Sequence, residues 1–299
     1  MKETTWVNGQ YVERTDAHLS VFDASVQHGI GLFETMTASH AGVYRLDDHL
    51  RRLDTSARQL GLTDTLRIPA LYDLVNRVVE ASELQAGERA RVRLTITGGD
   101  LNLLRPSGPG PVDPTIAVHV QPATPYPDAL FEQGGRAVIS DTRVNPLDPT
   151  QGHKTINYWW RLRELQIAAS KQAAEAIVFS ITNHICSGAV SNLFIVKDGA
   201  LHTPIARGEE VDGSMPSAVL PGITRGAVLE FAESRGIAAS TRMLSIDDLL
   251  AADEVFLTNS SWGVLPIVGV EAETIGEGQP GPLTLDLRAE WQTAIDHTD

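Results

Sequence analysis

The spacing of apolar and polar residues along the chain predicts strands and helices that alternate in two blocks. In the first block, TTWVNGQYVE predicts a hairpin, because Asn8-Gly9 favours a type I′ turn between two β-prone runs. A second alternating pair is GLFETMTASHAGVYRL, and LDDHLRRLDTSARQLGL then repeats its apolar residues at helical spacing. Another helix is predicted from Pro69 to Leu84, followed by the strands RVRLTITGG and TIAVHVQP. Residues 1–120 are therefore expected to form one α+β domain.

A proline-rich segment marks the predicted boundary between the two blocks. QPATPYPD contains three prolines, so residues 121–129 are expected to link the first domain to a larger one at 130–299. In the second block GGRAVISDTRVN, EAIVFSI and NLFIVKDGALHTP predict strands, whereas TINYWWRLRELQIAASKQAA and ITRGAVLEFAESRGI predict helices. The pattern indicates an α/β (α+β) protein of two domains with a cleft between them, where small-molecule sites tend to lie.

The overall charge and the cysteine content narrow the classes of function. The 299 residues carry a formal net charge of −14, which repels nucleic acid and anionic membranes, so neither is expected as a partner. No stretch approaches the roughly 18 to 20 apolar residues that cross a bilayer, and the first residues lack a secretory apolar core, so a soluble, cytoplasmic protein is expected. The single Cys186 cannot form an intrachain disulfide, and no residue spacing predicts a metal site.

Lysine is rare in this chain, which makes each lysine worth considering separately. Of the four, Lys2, Lys171 and Lys197 lie in polar segments where solvated side chains are expected. Lys154 lies in GHKTINYWW, at the predicted start of a helix and close to three aromatic residues. Both surroundings disfavour the charged ammonium, and a neutral amine is the form that Schiff-base chemistry requires. The alternative is a partly exposed lysine that packs its stem on the surface.

Two turns rich in small polar residues are candidate anion sites. PGITR precedes a predicted helix and TNSSWG follows a predicted strand, and each offers backbone N–H groups and hydroxyls to a phosphate. With Arg52 as a cation they would form a phosphate site, provided that the fold brings them together. The alternative for each turn is an ordinary helix cap.

Six segments between about residue 5 and residue 270 occur in the order and spacing of a known family: HGIGLFET, RLDDHLRRL, HKTINY, SGAVSNLFIV, PGITR and ADEVFLTNSSWGVLPI. The chain resembles the class IV aminotransferases, which are fold type IV enzymes dependent on pyridoxal 5′-phosphate. They include branched-chain and D-amino-acid aminotransferases and 4-amino-4-deoxychorismate lyase. The resemblance implies a two-domain fold like that of D-amino-acid aminotransferase, a cofactor in the interdomain cleft, and a homodimer.

The resemblance also implies roles for particular residues. Lys154 matches the lysine that forms a Schiff base with the cofactor and then shuttles the substrate proton. Arg52 matches an arginine that binds the cofactor phosphate, whereas Arg51 is expected at the surface. Tyr158 lies near a tyrosine that contacts the cofactor's phenolic oxygen, although the spacing differs by one residue from the branched-chain enzymes. The phosphate-binding positions of the two turns match Ile223, Thr224, Asn259 and Ser260.

Two departures from the family pattern concern the substrate chemistry. Where the family has a glutamate that keeps the cofactor's pyridine nitrogen protonated, this chain has Ser187. Three explanations are open: another carboxylate replaces it, the reaction needs less carbanion stabilisation, or the enzyme is slow or degenerate. Where D-amino-acid aminotransferases place a substrate-binding arginine, this chain has Gly98 or Gly99.

The expected activity is transfer of an amino group between an amino acid and a 2-oxo acid. One alternative is 4-amino-4-deoxychorismate lyase, a β-elimination that releases pyruvate, because HKTINY and VFLTNSSWGVLPI are similar to lyase-type members. Another alternative is a degenerate, weakly active protein that binds pyridoxal phosphate. This alternative stands because Ser187 replaces the glutamate that pairs with the pyridine nitrogen. Arg91, Arg93 and Arg105 are interpreted mainly as surface charges, with contact to an anionic substrate as the alternative.

Overall fold

The computed structural model describes residues 1–64, 66–100 and 114–297. The chain divides into two compact units by the density of its contacts. The first unit comprises Met1–Thr124, His153–Asn157 and Ala294–Asp299, and the second comprises Pro125–Gly152 and Tyr158–Thr293. No helix among these described residues is both long and apolar enough to span a membrane.

The first unit is built on a six-stranded antiparallel sheet with the strand order β2-β1-β6-β5-β3-β4. Its elements are β1 (Thr4–Val7), β2 (Gln10–Val12), α1 (Ala24–His28), β3 (Gly31–Ser39), β4 (Gly42–Val43), α2 (Leu46–Gln59), α3 (Ile68–Glu80), β5 (Ala90–Thr97) and β6 (Ile116–Pro122). Between β1 and β2, Asn8 and Gly9 have φ angles of 42° and 98°, as the predicted type I′ turn requires.

Alternation along β5 gives the two faces of this sheet different characters. Val92, Leu94 and Ile96 are completely buried in a core that includes apolar residues of α2 and α3. Arg91 and Arg93 alternate with them and therefore project from the opposite face. One face of the sheet is thus a hydrophobic core, while the other presents polar and cationic side chains.

The segment His153–Asn157 belongs to the first unit because it pairs with the beginning of β3. Thr155 forms a bridge with Leu32, and the N–H of Ile156 donates to the carbonyl of Gly31 at 3.0 Å. A Cβ at Gly31 would lie 2.8 Å from the carbonyl oxygen of Ile96 on β5 and 3.1 Å from the side chain of Ile156. Glycine therefore allows both neighbours to pack closely against the start of β3. The predicted domain at 130–299 included this segment, and its contacts instead group it with the first unit.

The second unit contains a nine-stranded mixed sheet with the order β12-β11-β10-β13-β14-β7-β8-β9, and β15 pairs with β14. The strands are β7 (Gly135–Val144), β8 (Glu175–Ser180), β9 (Ile185–Gly188), β10 (Asn192–Lys197), β11 (Ala200–Thr203), β12 (Ala239–Thr241), β13 (Glu254–Asn259), β14 (Gly263–Val270) and β15 (Glu273–Thr274). The helices are α4 (Ala129–Glu132), α5 (Trp159–Ser170), α6 (Ile223–Ser234), α7 (Ile246–Leu250) and α8 (Pro282–Asp296).

The helix predicted from Thr155 begins four residues later than expected. The structure starts α5 at Trp159, so Lys154 lies in the extended segment before the helix and not in its first turn. The bridge from Thr155 to Leu32 and the hydrogen bond from the N–H of Ile156 to Gly31 hold these residues against the start of β3, which explains the delay. Lys154 is therefore not in the first turn of a helix, and the predicted effect of a helix start on its ammonium group does not apply.

Candidate functional site

Three side chains of the first unit form a buried polar cluster of Glu34, His49 and Arg52. Glu34 lies on β3, and it receives hydrogen bonds from Arg52 Nε at 3.0 Å and from Arg52 Nη2 at 2.5 Å. His49 Nδ1 lies 2.7 Å from the same carboxylate. His49 and Arg52 are three residues apart on α2, so both project from the helix face that meets β3. The side chains of Glu34 and His49 are each only 1% exposed.

The electrostatics of this cluster favour a charged glutamate and a neutral histidine. Burial alone would raise the pKa of Glu34, but the charge of Arg52 and the hydrogen bond from His49 lower it to about 2. Burial lowers the pKa of His49 below its ordinary value, and the charges of Arg52 and Lys154 act in the same direction. A neutral imidazole beside a carboxylate carries its proton on Nδ1, so His49 donates to Glu34. Arg52 is thereby held by an ion pair with both carboxylate oxygens.

Lys154 lies beside this cluster, at the edge of the same sheet. The N–H of Phe33 donates to the carbonyl of Lys154 at 3.0 Å, which fixes the lysine backbone one residue away from Glu34 on β3. The amine nitrogen of Lys154 is 4.6 Å from the centre of the Phe33 ring. The aromatic partner of the lysine is therefore Phe33. Trp159, which the sequence offered as a neighbour, is 80% exposed.

Arg93 contacts the same aromatic ring as the lysine amine. Its guanidinium carbon is 3.7 Å from the centre of the Phe33 ring, so Arg93 and Lys154 contact the same aromatic side chain. The charges of Arg93, Arg91 and Arg14, together with burial, hold the pKa of His119 at about 4, with burial the largest cause. This sheet face is therefore strongly cationic, and Arg93 is more than a surface charge. Arg105 lies outside the described residues.

In the second unit, the two predicted anion-binding turns come together beside Asn192. The amide of Asn192 donates to the carbonyl of Leu220 at 2.8 Å, just before α6 begins at Ile223. On the neighbouring strand, Asn192 pairs with Thr258, the residue before Asn259. The first N–H groups of a helix have no acceptor within the helix, so the start of α6 favours an anion. The sequence left open whether these turns would meet, and within this unit they do.

Internal hydrogen bonds determine the shape of the second turn. The side-chain oxygen of Asn259 accepts from the N–H groups of Ser261 at 2.8 Å and Trp262 at 3.0 Å. Asn259 Nδ2 also lies 3.4 Å from the carbonyl of Val190, which joins this turn to the segment after β9. Thr224 is 3% exposed at the start of α6. Trp262 packs with Tyr126 in the hydrophobic core, at a ring distance of 5.8 Å.

The remaining predicted residues, Tyr158 and Ser187, also lie in the second unit. Tyr158 immediately precedes α5, and Ser187 is 8% exposed on β9. Among the residues that the structure describes, no group of three or more His, Cys, Asp and Glu side chains is arranged to hold a metal ion.

Sequence reasoning did not single out Glu34 and His49. The available signals were a glutamate inside the apolar strand GLFETMT and a histidine three residues before Arg52. A carboxylate in a buried strand is stable only with a partner, and the helical spacing of His49 and Arg52 offered two.

Replacement of Glu34 by Gln should destabilise the first unit, because it leaves the Arg52 charge buried without a carboxylate. We expect a loss of about 3–5 kcal/mol in the free energy of unfolding at pH 7, measured by urea denaturation. The folded pKa of Glu34 is about 2, below its ordinary value of 4.5, so its contribution is complete above pH 4.5 and lost as the pH falls towards 2.

The exposed Glu13 provides a matched control for this measurement. Glu13→Gln should leave stability within about 0.5 kcal/mol of the wild type. The difference between wild type and Glu34→Gln should shrink as the pH is lowered. A difference that stayed constant from pH 7 to pH 2.5 would show that the charge of Glu34 is not responsible.

Comparisons with known proteins identify the family that this chain is similar to. The family model for class IV amino-transferases matches residues 31–270. The branched-chain-amino-acid aminotransferase of Escherichia coli strain K12 is 32% identical over 286 residues, covering 93% of this chain and 88% of the relative. The crystal structure of the Escherichia coli branched-chain enzyme has a TM-score of 0.86 at 29% identity, covering 98% of this chain and 94% of that one.

Two further relatives extend the range of chemistry. Aminodeoxychorismate lyase of Bacillus subtilis strain 168 is 28% identical over 294 residues, covering 97% of this chain and 94% of the relative. A T.th. branched-chain amino acid aminotransferase, solved in complex with N-(5′-phosphopyridoxyl)-L-glutamate, has a TM-score of 0.84 at 25% identity and covers 98% and 94% of the two chains. The family match spans most of the sequence, and both units lie within the region aligned to these structures. The chain therefore belongs to the class IV aminotransferase family.

Proposed function

We propose that this protein is a pyridoxal-phosphate-dependent aminotransferase that moves an amino group between an amino acid and a 2-oxo acid, with Lys154 bound covalently to the cofactor. The observation that carries this proposal is the setting of Lys154. Its amine lies against Phe33, and its main chain is hydrogen-bonded to β3 one residue from Glu34, in a chain matched by the family over residues 31–270. Lys2 and Lys171 are exposed, and Lys197, which is partly exposed as Lys154 is, forms an ion pair with Asp253.

The described residues suit the chemical groups of pyridoxal phosphate. An aldehyde needs an amine, which Lys154 supplies, and a phosphate needs N–H donors and cations. We assign the phosphate to the start of α6, at Ile223 and Thr224, and to the turn at Asn259 and Ser260. Asn192 joins these two turns, as its contacts to Leu220 and Thr258 indicate.

Two further side chains complete the proposed cofactor contacts. We assign Arg52 to the phosphate, because Glu34 holds its guanidinium on the Nε and Nη2 side and fixes the direction of the side chain. Tyr158, immediately before α5, is assigned to the phenolic oxygen of the cofactor. The assignment of Arg52 follows the family pattern, whereas that of Tyr158 differs by one residue in spacing from the branched-chain enzymes.

When bound, pyridoxal phosphate supplies an aldehyde that captures the substrate amine and a ring that withdraws electrons from the adjacent carbon. Lys154 would hold the cofactor, and its amine nitrogen, when free, would take and return the proton of the substrate's α-carbon. The backbone bond from Phe33 to Lys154 keeps the lysine main chain in place during that transfer. The Phe33 ring limits the positions of the amine by contact with its side chain.

The substrate class follows from the relatives' names and from the cationic face of the first sheet. Branched-chain amino acids are the substrates that two compared relatives' names state, and we propose an L-amino acid of this kind as donor. Arg93 contacts the same Phe33 ring as the amine of Lys154 and is suited to meet a substrate carboxylate. A D-amino-acid enzyme is disfavoured, because this chain has Gly98 or Gly99 where those enzymes place a substrate-binding arginine.

An amino donor added without an oxo-acid acceptor distinguishes transamination from the lyase reaction. A transaminase should convert the bound aldehyde cofactor to its amine form within one turnover, which shifts its absorbance band, and should release one 2-oxo acid per site. A lyase should release pyruvate repeatedly from an aminodeoxychorismate-type substrate while its absorbance band persists. The assay should be run with branched-chain, acidic and aromatic L-amino acids and with D-alanine.

Lys154→Ala and Lys171→Ala form the matched pair of variants for this assay. Lys171 is exposed at the end of α5, so its variant should react as the wild type does. Lys154→Ala should lack the absorbance band of the covalently held cofactor and should not turn over. Repeated pyruvate release by the wild type would replace the aminotransferase proposal with the lyase. A stable band with no reaction towards any substrate would support a degenerate binding protein.

We further propose that the protein is a cytoplasmic homodimer, as the family resemblance implies. Support for self-association comes from an apolar patch in the first unit, between residues 19 and 26. The exposed fractions there are 42% for Leu19, 67% for Val21, 65% for Phe22 and 55% for Val26. Contiguous apolar side chains of this kind commonly mark a protein interface.

Phe22→Asp tests the proposed dimer patch by sedimentation velocity. The wild type should sediment as a dimer and the variant should dissociate more readily, because a carboxylate in an apolar interface is strongly unfavourable. Val211→Asp, at a residue that is 81% exposed in the second unit, is the control and should sediment as the wild type does. A monomeric wild type, or a dimer unaffected by Phe22→Asp, would contradict this assignment.

A further inference from the structure

Ser187 stands in an unusual setting for a buried hydroxyl. It is 8% exposed on β9, and within the second unit, all of which the structure describes, its hydroxyl makes no hydrogen bond. Ser187 is directly opposite Val178 on β8, so both side chains project from the same face of the sheet. The hydroxyl is therefore available to a group that approaches this face.

Glu175 is the first candidate for a carboxylate that could act in place of a residue at 187. It is fully buried on β8, but it shares the face of Ile177, which is opposite to the face of Val178 and Ser187. A Cβ built on Gly188 would lie 2.9 Å from Glu175 Oε2, which places the carboxylate under Gly188. The sheet backbone separates Glu175 from the Ser187 hydroxyl.

The hydrogen bonds of Glu175 also hold it in place. Its carboxylate accepts from the N–H of Ala176 at 2.9 Å, the N–H of Val190 at 3.2 Å and the hydroxyl of Ser191 at 3.0 Å. These contacts close the turn that follows β9. Turning Glu175 to the other face would break all three, so it is a structural residue of this turn.

Glu164 is the other buried carboxylate among residues 125–293 of the second unit. It lies on α5 and accepts from the hydroxyls of Ser140 at 2.8 Å and Thr142 at 2.9 Å, both on β7. Because β8 lies between β7 and β9, Glu164 is directed to a different strand from Ser187. Neither buried carboxylate of this unit therefore replaces a glutamate at position 187.

The charged group that does act near Ser187 is a cation, Arg161. Its Nη1 donates to the carbonyl of Ala189 at 2.7 Å, two residues after Ser187. Burial raises the pKa of the Cys186 thiol to about 11, and the charge of Arg161 acts against that rise. The guanidinium also lies 4.4 Å from the Trp160 ring centre, which steadies its position. Arg161 thus places a positive charge beside the end of β9.

We propose that Ser187 is the hydrogen-bond partner of the cofactor's pyridine nitrogen and that, with Arg161 as the nearby charge, this nitrogen stays unprotonated in the resting holoenzyme. The inference rests on the proposed function, since it concerns the cofactor that Lys154 holds. A hydroxyl donates to a neutral nitrogen without stabilising a positive charge, and a neighbouring guanidinium disfavours one. The consequence is a cofactor that withdraws electrons less strongly than one paired with a carboxylate.

The protonation state can be read directly by NMR on holoenzyme reconstituted with pyridoxal phosphate carrying ¹⁵N in the ring. Protonation of a pyridine nitrogen moves its ¹⁵N resonance far upfield, so neutral and protonated forms are distinct. The wild type should give the neutral resonance from pH 6 to pH 8. A wild-type resonance at the pyridinium position would overturn the proposal, whatever the variants do.

Variants at both positions test which residues set this state. Ser187→Glu with Arg161→Met restores a carboxylate and removes the competing cation, and it should raise the pKa of the ring nitrogen by about 1 to 3 pH units. Ser187→Ala should keep the neutral resonance and lose the hydrogen-bond contribution to its position. If the Arg161→Met variant gave the same ¹⁵N spectrum as the wild type at every pH, Arg161 would not influence the protonation of the ring nitrogen.

The same samples separate this inference from the proposed function. Each is first examined for the absorbance band of the cofactor bound to Lys154, and circular dichroism checks that the variants are folded. Absence of the band in the wild type would contradict the proposed function. A normal band with a protonated ring nitrogen would contradict only the pairing with Ser187 and Arg161.

Discussion

The buried ion pair of Glu34 with Arg52 is the interaction on which the first unit's part of the site depends. It joins the middle of β3 to α2 with two hydrogen bonds, and His49 adds a third from the same helix. Removing one partner of such a pair typically costs about 3–5 kcal/mol, because the other charge remains buried. The arginine can therefore keep a single direction. Lys154 is tied to the same strand by the Phe33 N–H, so the lysine and the arginine share one support.

Whereas the first unit offers charged side chains, the second unit offers backbone N–H donors for an anion. Its anion-binding groups are mainly backbone N–H donors at the start of α6 and in the turn after β13, and Asn192 connects them. Near Ser187 its charges are unequally placed, with the carboxylate of Glu175 on the opposite face of the sheet and the guanidinium of Arg161 beside the end of β9. The proposed covalent attachment through Lys154 and the proposed unprotonated ring nitrogen are compatible properties. Together they would give an aminotransferase whose cofactor withdraws electrons less strongly than one paired with a carboxylate.

Local sequence patterns predicted much of the fold. Short-range sequence patterns predicted the Asn8-Gly9 turn, the strand β5 and the helix α2. The two regular elements pack one apolar face against the core, as their periodicity indicates. The pattern did not reveal that His153–Asn157 pairs with β3, because that pairing joins residues more than a hundred positions apart. The helix after Lys154 consequently began at Trp159, later than predicted. The strand β14 was also missed, since an entirely buried apolar run has no alternation to identify it.

The residues of the proposed site come from sequence motifs, whereas their surroundings could not be predicted from the sequence. The resemblance identified Lys154, Arg52 and Ser187, whereas the roles of Glu34, His49 and Arg161 depend on contacts between distant segments. The most direct measurement of the central assignment is borohydride reduction of the holoenzyme, followed by proteolysis and mass spectrometry. The account predicts that the phosphopyridoxyl group is attached to the peptide containing Lys154. Attachment to Lys2, Lys171 or Lys197, or a reduced protein with no modified lysine, would contradict it.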